Sequence, residues 1–128
     1  MKTVFSVLIS NTDDHLRNHG FLWSGMGGRL APAYDLNPVP TDIKPRILTT
    51  AIDLTDGTAS LGLAFEVAAY FGLDSGEARV LAGEGGRAAA TWRGAAGKLG
   101  LTGREMDRMA SAFEHGDLEA ALALAANG

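Results

Sequence analysis

The stretch Asn11-Thr12-Asp13-Asp14-His15-Leu16-Arg17-Asn18, followed by Ala33-Tyr34-Asp35-Leu36, decides how this chain is read. Asn18 stands five residues after Asp13, and Asp35 seventeen residues after Asn18. An acid, an amide and a second acid in that order supply hard oxygen donors of the kind Mg²⁺ takes, together with a carboxylate able to accept a proton. A run of Asn, Thr and Asp also makes turns and helix caps, because these side chains hydrogen-bond nearby backbone groups. The D-x-x-x-x-N spacing is short enough to arise either way.

The same order and spacing serve phosphoryl transfer. There an Asp takes the proton of the substrate hydroxyl, an Asn binds Mg²⁺, and a later Asp binds the Mg²⁺ that bridges the β- and γ-phosphates of ATP. On that template Asp13 is the base, and Asn18 and Asp35 are the metal and nucleotide ligands. Arg17 could add positive charge beside the transferred phosphate. His15 and His19 are spaced i, i+4 and could hold a transition metal on a helix, but the segment reads as loop. Tyr34 reads as packing and His115 as a helix-end residue near the last carbonyls.

Working outward, the apolar run Thr3–Ser10 reads as the end of a helix feeding this loop. Gly20-Phe21-Leu22-Trp23 and Arg29-Leu30-Ala31 flank the glycine-rich Ser24–Gly28, a connection that closes a β-hairpin, with Trp23 covering it. Folding the chain back there is how Asn18 and Asp35 could converge. Pro32, Pro38, Pro40 and Pro45 make the next segment irregular, with a short strand expected over Ile47–Leu54. Beyond about residue 58, alanine, leucine and glutamate take over and the chain reads as helical.

A first helix is expected from Ser60, with Leu61, Leu63, Ala64, Val67, Ala68 and Phe71 inward and Gly72 as its stop. A second is capped by Asp74 or Ser75 and reaches about Lys98, with Val80, Leu81, Ala88, Trp92 and Ala95 or Ala96 facing inward. Gly83, Gly85 and Gly86 each cost about 1 kcal/mol against Ala, so a bend or break there would be no surprise. Thr102-Gly103-Arg104-Glu105 fits a capping box opening a third helix to about Phe113. His115-Gly116 ends it, and Asp117 is expected to cap a last helix through Ala126.

Composition narrows the class. The chain of 128 residues, 46% apolar, suits one compact domain over residues 1–128. Its two parts are residues 1–57, with the loops and hairpin, and 58–128, a helical subdomain. With no cysteine there is no disulfide framework or thiolate metal site, which accords with a cytoplasmic location. The apolar start is broken by Ser6 and lacks a small-residue cleavage site, so it is not read as a signal peptide. No apolar run reaches the roughly 18 to 20 residues a membrane helix needs, so no membrane role is expected. A formal charge of −4 argues against broad nucleic-acid binding.

Asn11–His19 and Leu30-Ala31-Pro32-Ala33-Tyr34-Asp35-Leu36 resemble the C-terminal motifs of the HipA-like kinases, serine/threonine-kinase-related toxins of bacterial toxin–antitoxin systems. Ala68-Ala69-Tyr70-Phe71-Gly72-Leu73 and Met109–His115 are similar to the helical tail of that family. The resemblance implies a mainly α fold, the helical C-lobe of a protein-kinase-like fold with a small β-hairpin beside the catalytic loop. It implies Asp13 as catalytic base, Asn18 as metal ligand and Asp35 as the counterpart of the metal-binding Asp of Asp-Phe-Gly. His15 matches the family's loop histidine, and Arg17 stands where Lys is frequent. Position 14 is Asp where some members carry Gly. The implied cofactors are ATP and Mg²⁺. The implied partners are a protein substrate, such as an aminoacyl-tRNA synthetase, and a helix-turn-helix antitoxin through which alone DNA would be met.

A complete kinase also needs a phosphate-covering loop and a lysine on an N-terminal lobe, and neither appears in the twelve residues before Asp13. The leading expectation is therefore a catalytic-lobe fragment of a HipA-like ATP-dependent kinase that transfers phosphate to a protein hydroxyl only with its missing N-terminal lobe. The alternative is a noncatalytic helical module that binds an antitoxin or a partner lobe. Calorimetry with Mg²⁺-ATP separates the two.

Overall fold

The structure is a computed structural model describing residues 1–126, so the expected helical half, drawn to Gly128, ends outside the described residues for its last two positions. It is mainly helical with one small antiparallel sheet: α1 (Lys2–Leu8), β1 (Phe21–Trp23), β2 (Gly28–Leu30), α2 (Leu61–Glu66), α3 (Ser75–Ala90), α4 (Trp92–Lys98), α5 (Gly103–Phe113) and α6 (Gly116–Ala126). Single 3₁₀ turns lie at Leu16–Asn18 and Ala68–Phe71. Among the described residues no helix is long and apolar enough to cross a membrane.

The core gathers around α1. Leu8 and Ile9 pack with Leu61, Ala82, Ala89, Leu118 and Ala121, so the segment entering the motif loop is seated among α2, α3 and α6. Val7 joins a second cluster with Leu48, Ile52, Ala59, Ala64 and Val67. Val7 and Leu8 are fully buried, which fixes the loop's starting point through packing rather than through the loop's own bonds.

The hairpin forms where expected, pairing Phe21 with Leu30, Leu22 with Arg29 and Trp23 with Gly28. Its outer residues are uncovered: Trp23 is 77% exposed and Phe21 74%. The expectation that Trp23 covers the hairpin therefore fails, because no second layer lies over these strands among the described residues. The strand expected over Ile47–Leu54 reduces to one bridge between Ile47 and Thr58. Beyond it, Asp53 accepts from the Thr55 and Asp56 amides and Asp56 from the Thr58 amide, and these local bonds turn the chain instead of extending it.

In the helical half the starts at Ser60, Asp74 and Thr102 read correctly, the cap at Asp117 and the inward faces less so. Ser60 caps α2, and Asp74 with Glu77 and Thr102 with Glu105 form capping boxes. After α2 the chain tightens into the 3₁₀ turn and stops at Gly72 (φ 71°), which swings Phe71 out to 72% exposure. Asp117 is not a cap. It lies in the first turn of α6, which starts at Gly116, and reaches across to other elements.

The long second helix breaks at Thr91 rather than at its glycines. The Thr91 hydroxyl donates to the Ala88 carbonyl at 2.8 Å, a local bond that competes with helix continuation. Gly83, Gly85 and Gly86 instead form the contact face of α3, together with Ala78, Ala82 and Ala89. A Cβ at Gly86 would come within 2.8 Å of the Ala121 Cβ, and one at Gly83 within 3.2 Å of the Ala125 Cα. Close approach of α3 to α6 thus needs glycine. Val80 and Ala88, expected inward, are exposed. Trp92 does pack between helices, stacked on Phe113 with ring centroids 4.5 Å apart.

Candidate active site

The motif loop leaves α1 through a sharp turn. Ser10 is fully buried with φ 53°, a left-handed conformation rare for a residue with a side chain. Its carbonyl accepts from the Thr12 and Val39 amides, at 3.0 and 3.2 Å. The Asn11 amide reaches back to the Ser6 carbonyl at 2.8 Å. The loop then closes on itself: the His15 amide donates to the Asp13 carbonyl and the Asn18 amide to the His15 carbonyl, both at 2.9 Å.

Asp13 and Arg17 are exposed, His15 is half-buried, and Asn18 is buried at 5% exposure. Asn18 Nδ2 donates to the Asp13 carbonyl at 3.3 Å, which fixes the amide and leaves its oxygen, the atom a metal would take, out of that bond. His19 Nδ1 lies 3.3 Å from the His15 carbonyl, so the ring that could have joined His15 in a metal pair contacts the loop backbone. Among the described residues no group of three or more His, Cys, Asp or Glu side chains is placed to hold a metal. The Asn18 and Asp35 pair contains one carboxylate, and in phosphoryl transfer the remaining ligands of the ion are phosphate oxygens and water.

Asp35 is exposed and also left-handed, at φ 55°. Its Oδ1 accepts from Asn37 Nδ2 at 2.6 Å, leaving Oδ2 outside that bond. Three bonds fasten this segment to the motif loop. The Tyr34 hydroxyl donates to the Arg17 carbonyl at 2.8 Å, the Asn37 amide to Asn11 Oδ1 at 3.4 Å, and the Val39 amide to the Ser10 carbonyl. Tyr34 is therefore the pin that the sequence reading took for packing. The donors present, an amide oxygen and a carboxylate oxygen, are hard ligands that suit Mg²⁺.

Two residues that the motif reading passed over anchor the loop from beneath. Asp14 is buried, its carboxylate 3.2 Å from Lys2 Nζ and 3.9 Å from His19 Nε2, and it accepts from the Ser6 hydroxyl at 3.4 Å. Lys2 also donates to the Asn18 carbonyl. Two adjacent acids thus divide their work, one facing out and one holding the loop down. The available signal was Lys2, the one charge in an otherwise uncharged start.

The space beside these groups is open. A cavity of about 40 Å³ is lined by Lys2, Asn18, His19, Gly20 and residues 30–33. A larger one of about 250 Å³ takes Asp14 and His19 into a mostly apolar wall from α1, α2 and α3, without Asp13, Asn18 or Asp35. Nucleotide-sized ligands occupy several hundred Å³, so the cavity beside Asn18 is too small to enclose one.

His115 sits behind the loop, half-buried. Burial first, and the Arg46 guanidinium second, hold its pKa below the ordinary 6.5, outweighing Asp117 and the carbonyls of Ala112 and Leu8. A lowered histidine pKa means the unfolded chain binds more protons, so stability is full above pH 6.5 and is lost as pH falls below it. His115→Gln is expected to flatten that loss. Urea midpoints at several pH values between 7.5 and 5 check it, and parallel curves for the two proteins would exclude His115 as the cause.

Comparison with known proteins bears on the family. No curated protein and no solved structure matches the chain. The family model for the HipA-like C-terminal domain matches residues 1–115, from α1 through the loop, the Asp35 segment and α5. The chain belongs to the HipA-like C-terminal domain family.

Proposed function

We propose that this chain is the base-and-metal half of a HipA-like serine/threonine kinase site, using ATP and Mg²⁺ to phosphorylate a protein hydroxyl within a toxin–antitoxin system. What supports the reading is the fastening of the Asp35 segment to the Asn11–Asn18 loop by Tyr34, Asn37 and Val39. A second acid is thereby tied to the loop that carries the first, as the kinase-like C-lobe requires.

Asp13, exposed at the loop surface, accepts the proton of the substrate hydroxyl as its oxygen attacks the γ-phosphorus and the bond to ADP breaks. Asn18 and Asp35 would hold the ion, which would supply charge neutralisation on the phosphate oxygens. Arg17 adds a cation at the rim, and the His15 carbonyl sets Asn18 by accepting its amide. The reading also needs a glycine-rich loop and a lysine to cover the phosphates, the parts that an N-terminal lobe supplies in a kinase. The helix-turn-helix antitoxin and the protein substrate are further partners in this reading, set in the cytoplasm.

Calorimetry with Mg²⁺-ATP tests the half-site directly. Heat of binding is expected for the chain, lost in Asp35→Asn and kept in Asp13→Asn. Heat that survives Asp35→Asn would remove Asp35 from the metal site. The exposed Phe21, Trp23 and Leu30 of the hairpin favour the second reading, an interaction module for an antitoxin or partner lobe. That reading gains if ATP gives no heat even when the partner lobe is supplied.

A further inference from the structure

One guanidinium joins four parts of the molecule. Arg46 Nη2 donates to the Val7 carbonyl at 2.9 Å, Nε to the Ser10 hydroxyl at 3.1 Å, and Nη1 to Asp117 Oδ2 at 2.7 Å. Asp117 Oδ1 in turn accepts from the Leu61 amide at 2.8 Å. The fork therefore ties the end of α1 and the turn at Ser10 to the starts of α2 and α6. Both side chains are about one-fifth exposed.

Ser10 is the joint that matters. A left-handed conformation in a residue other than glycine costs about 1–3 kcal/mol and persists where its surroundings over-determine it. Arg46 holds the Ser10 side chain, and the Val39 amide holds its carbonyl. The same residue thus starts the Asp13 loop and meets the segment carrying Asp35. The Arg46 backbone is held separately, its carbonyl accepting from the Ala59 amide at 2.8 Å, so the side chain can be altered without freeing the chain.

We propose that Arg46 and Asp117 are positioning residues, which act through Ser10 to set the Asp13 loop against the Asp35 segment and so make the first turn of α6 a control point for the site. The consequence for catalysis rests on the phosphoryl-transfer reading above, while the positioning itself does not. Lysine at position 46 would keep the charge opposite Asp117 but could not span all three acceptors, because only arginine presents a planar fork of donors.

Amide hydrogen exchange on the folded chain reads the positioning. Arg46→Lys and Ser10→Ala are each expected to speed exchange at Asn11, Thr12 and Val39 by about tenfold, the scale of one lost charge-assisted bond. Amides of Ala82, Ala89 and Ala121 should keep their rates. The double variant should be no faster than Arg46→Lys alone, since the contact that Ser10→Ala removes is already lost in Arg46→Lys. A uniform rise across α3 and α6 would reduce Arg46 to general stability, and additive effects would show that it does not act through Ser10. Mg²⁺-ATP titration of the same variants should show weakened affinity. If the unaltered chain, with its partner lobe supplied, binds no nucleotide, the phosphoryl-transfer reading fails while the exchange result still decides the positioning.

Discussion

Asp13→Asn is expected to slow γ-phosphate transfer by about 10²–10⁴-fold, the usual worth of a positioned general base, when the chain is assayed with its phosphate-binding lobe. The fold should not notice. Asp13 is exposed, and an exposed isosteric change typically moves stability by less than about 0.5 kcal/mol. The neighbouring acid should behave in the opposite way. Asp14→Asn leaves Lys2 Nζ without its carboxylate in a buried setting, at a cost of about 3 kcal/mol, and loosens the loop that Lys2 holds through the Asn18 carbonyl. Urea unfolding at constant m and single-turnover transfer, measured on both variants, separate the roles. Equal transfer by Asp13→Asn and the unaltered chain would leave the exposed acid without its assigned task.

That contrast shows where the sequence was informative and where it was not. Asp13, Asn18 and Asp35 could be singled out because residue type and order along the chain suggest their chemistry, and the structure adds that the two segments carrying them are fastened together. The capping boxes at Asp74 and Thr102 were legible for the same reason, since a cap and its partner are three residues apart. Arg46 and Asp117 are 71 residues apart, and nothing in either neighbourhood announces the pair. The α3 face was misjudged because apolar side chains were sought where small ones do the packing. Gly83, Gly85 and Gly86 read as helix breakers locally, yet α6 and α1 come close enough that a Cβ there would press on them, most at Gly86.

Gly86→Val should therefore destabilise the protein by about 3 kcal/mol, although valine is intrinsically a better helix former than glycine. The added Cβ would start 2.8 Å from the Ala121 Cβ and 3.2 Å from the Ala121 carbonyl carbon, and backbone cannot yield as a flexible side-chain end can. Gly94, in α4, has no atom within 4 Å of the same position, so Gly94→Ala should stabilise by about 0.5–1 kcal/mol through the unfolded chain. Chemical unfolding of the two variants gives opposite signs if packing decides the first and propensity the second. A gain in both would mean that α3 and α6 are not in close contact. The first variant also reaches the site. Displacing α6 moves its first turn, where Asp117 holds Arg46, so exchange at Asn11 and Thr12 should rise in Gly86→Val and stay unchanged in Gly94→Ala.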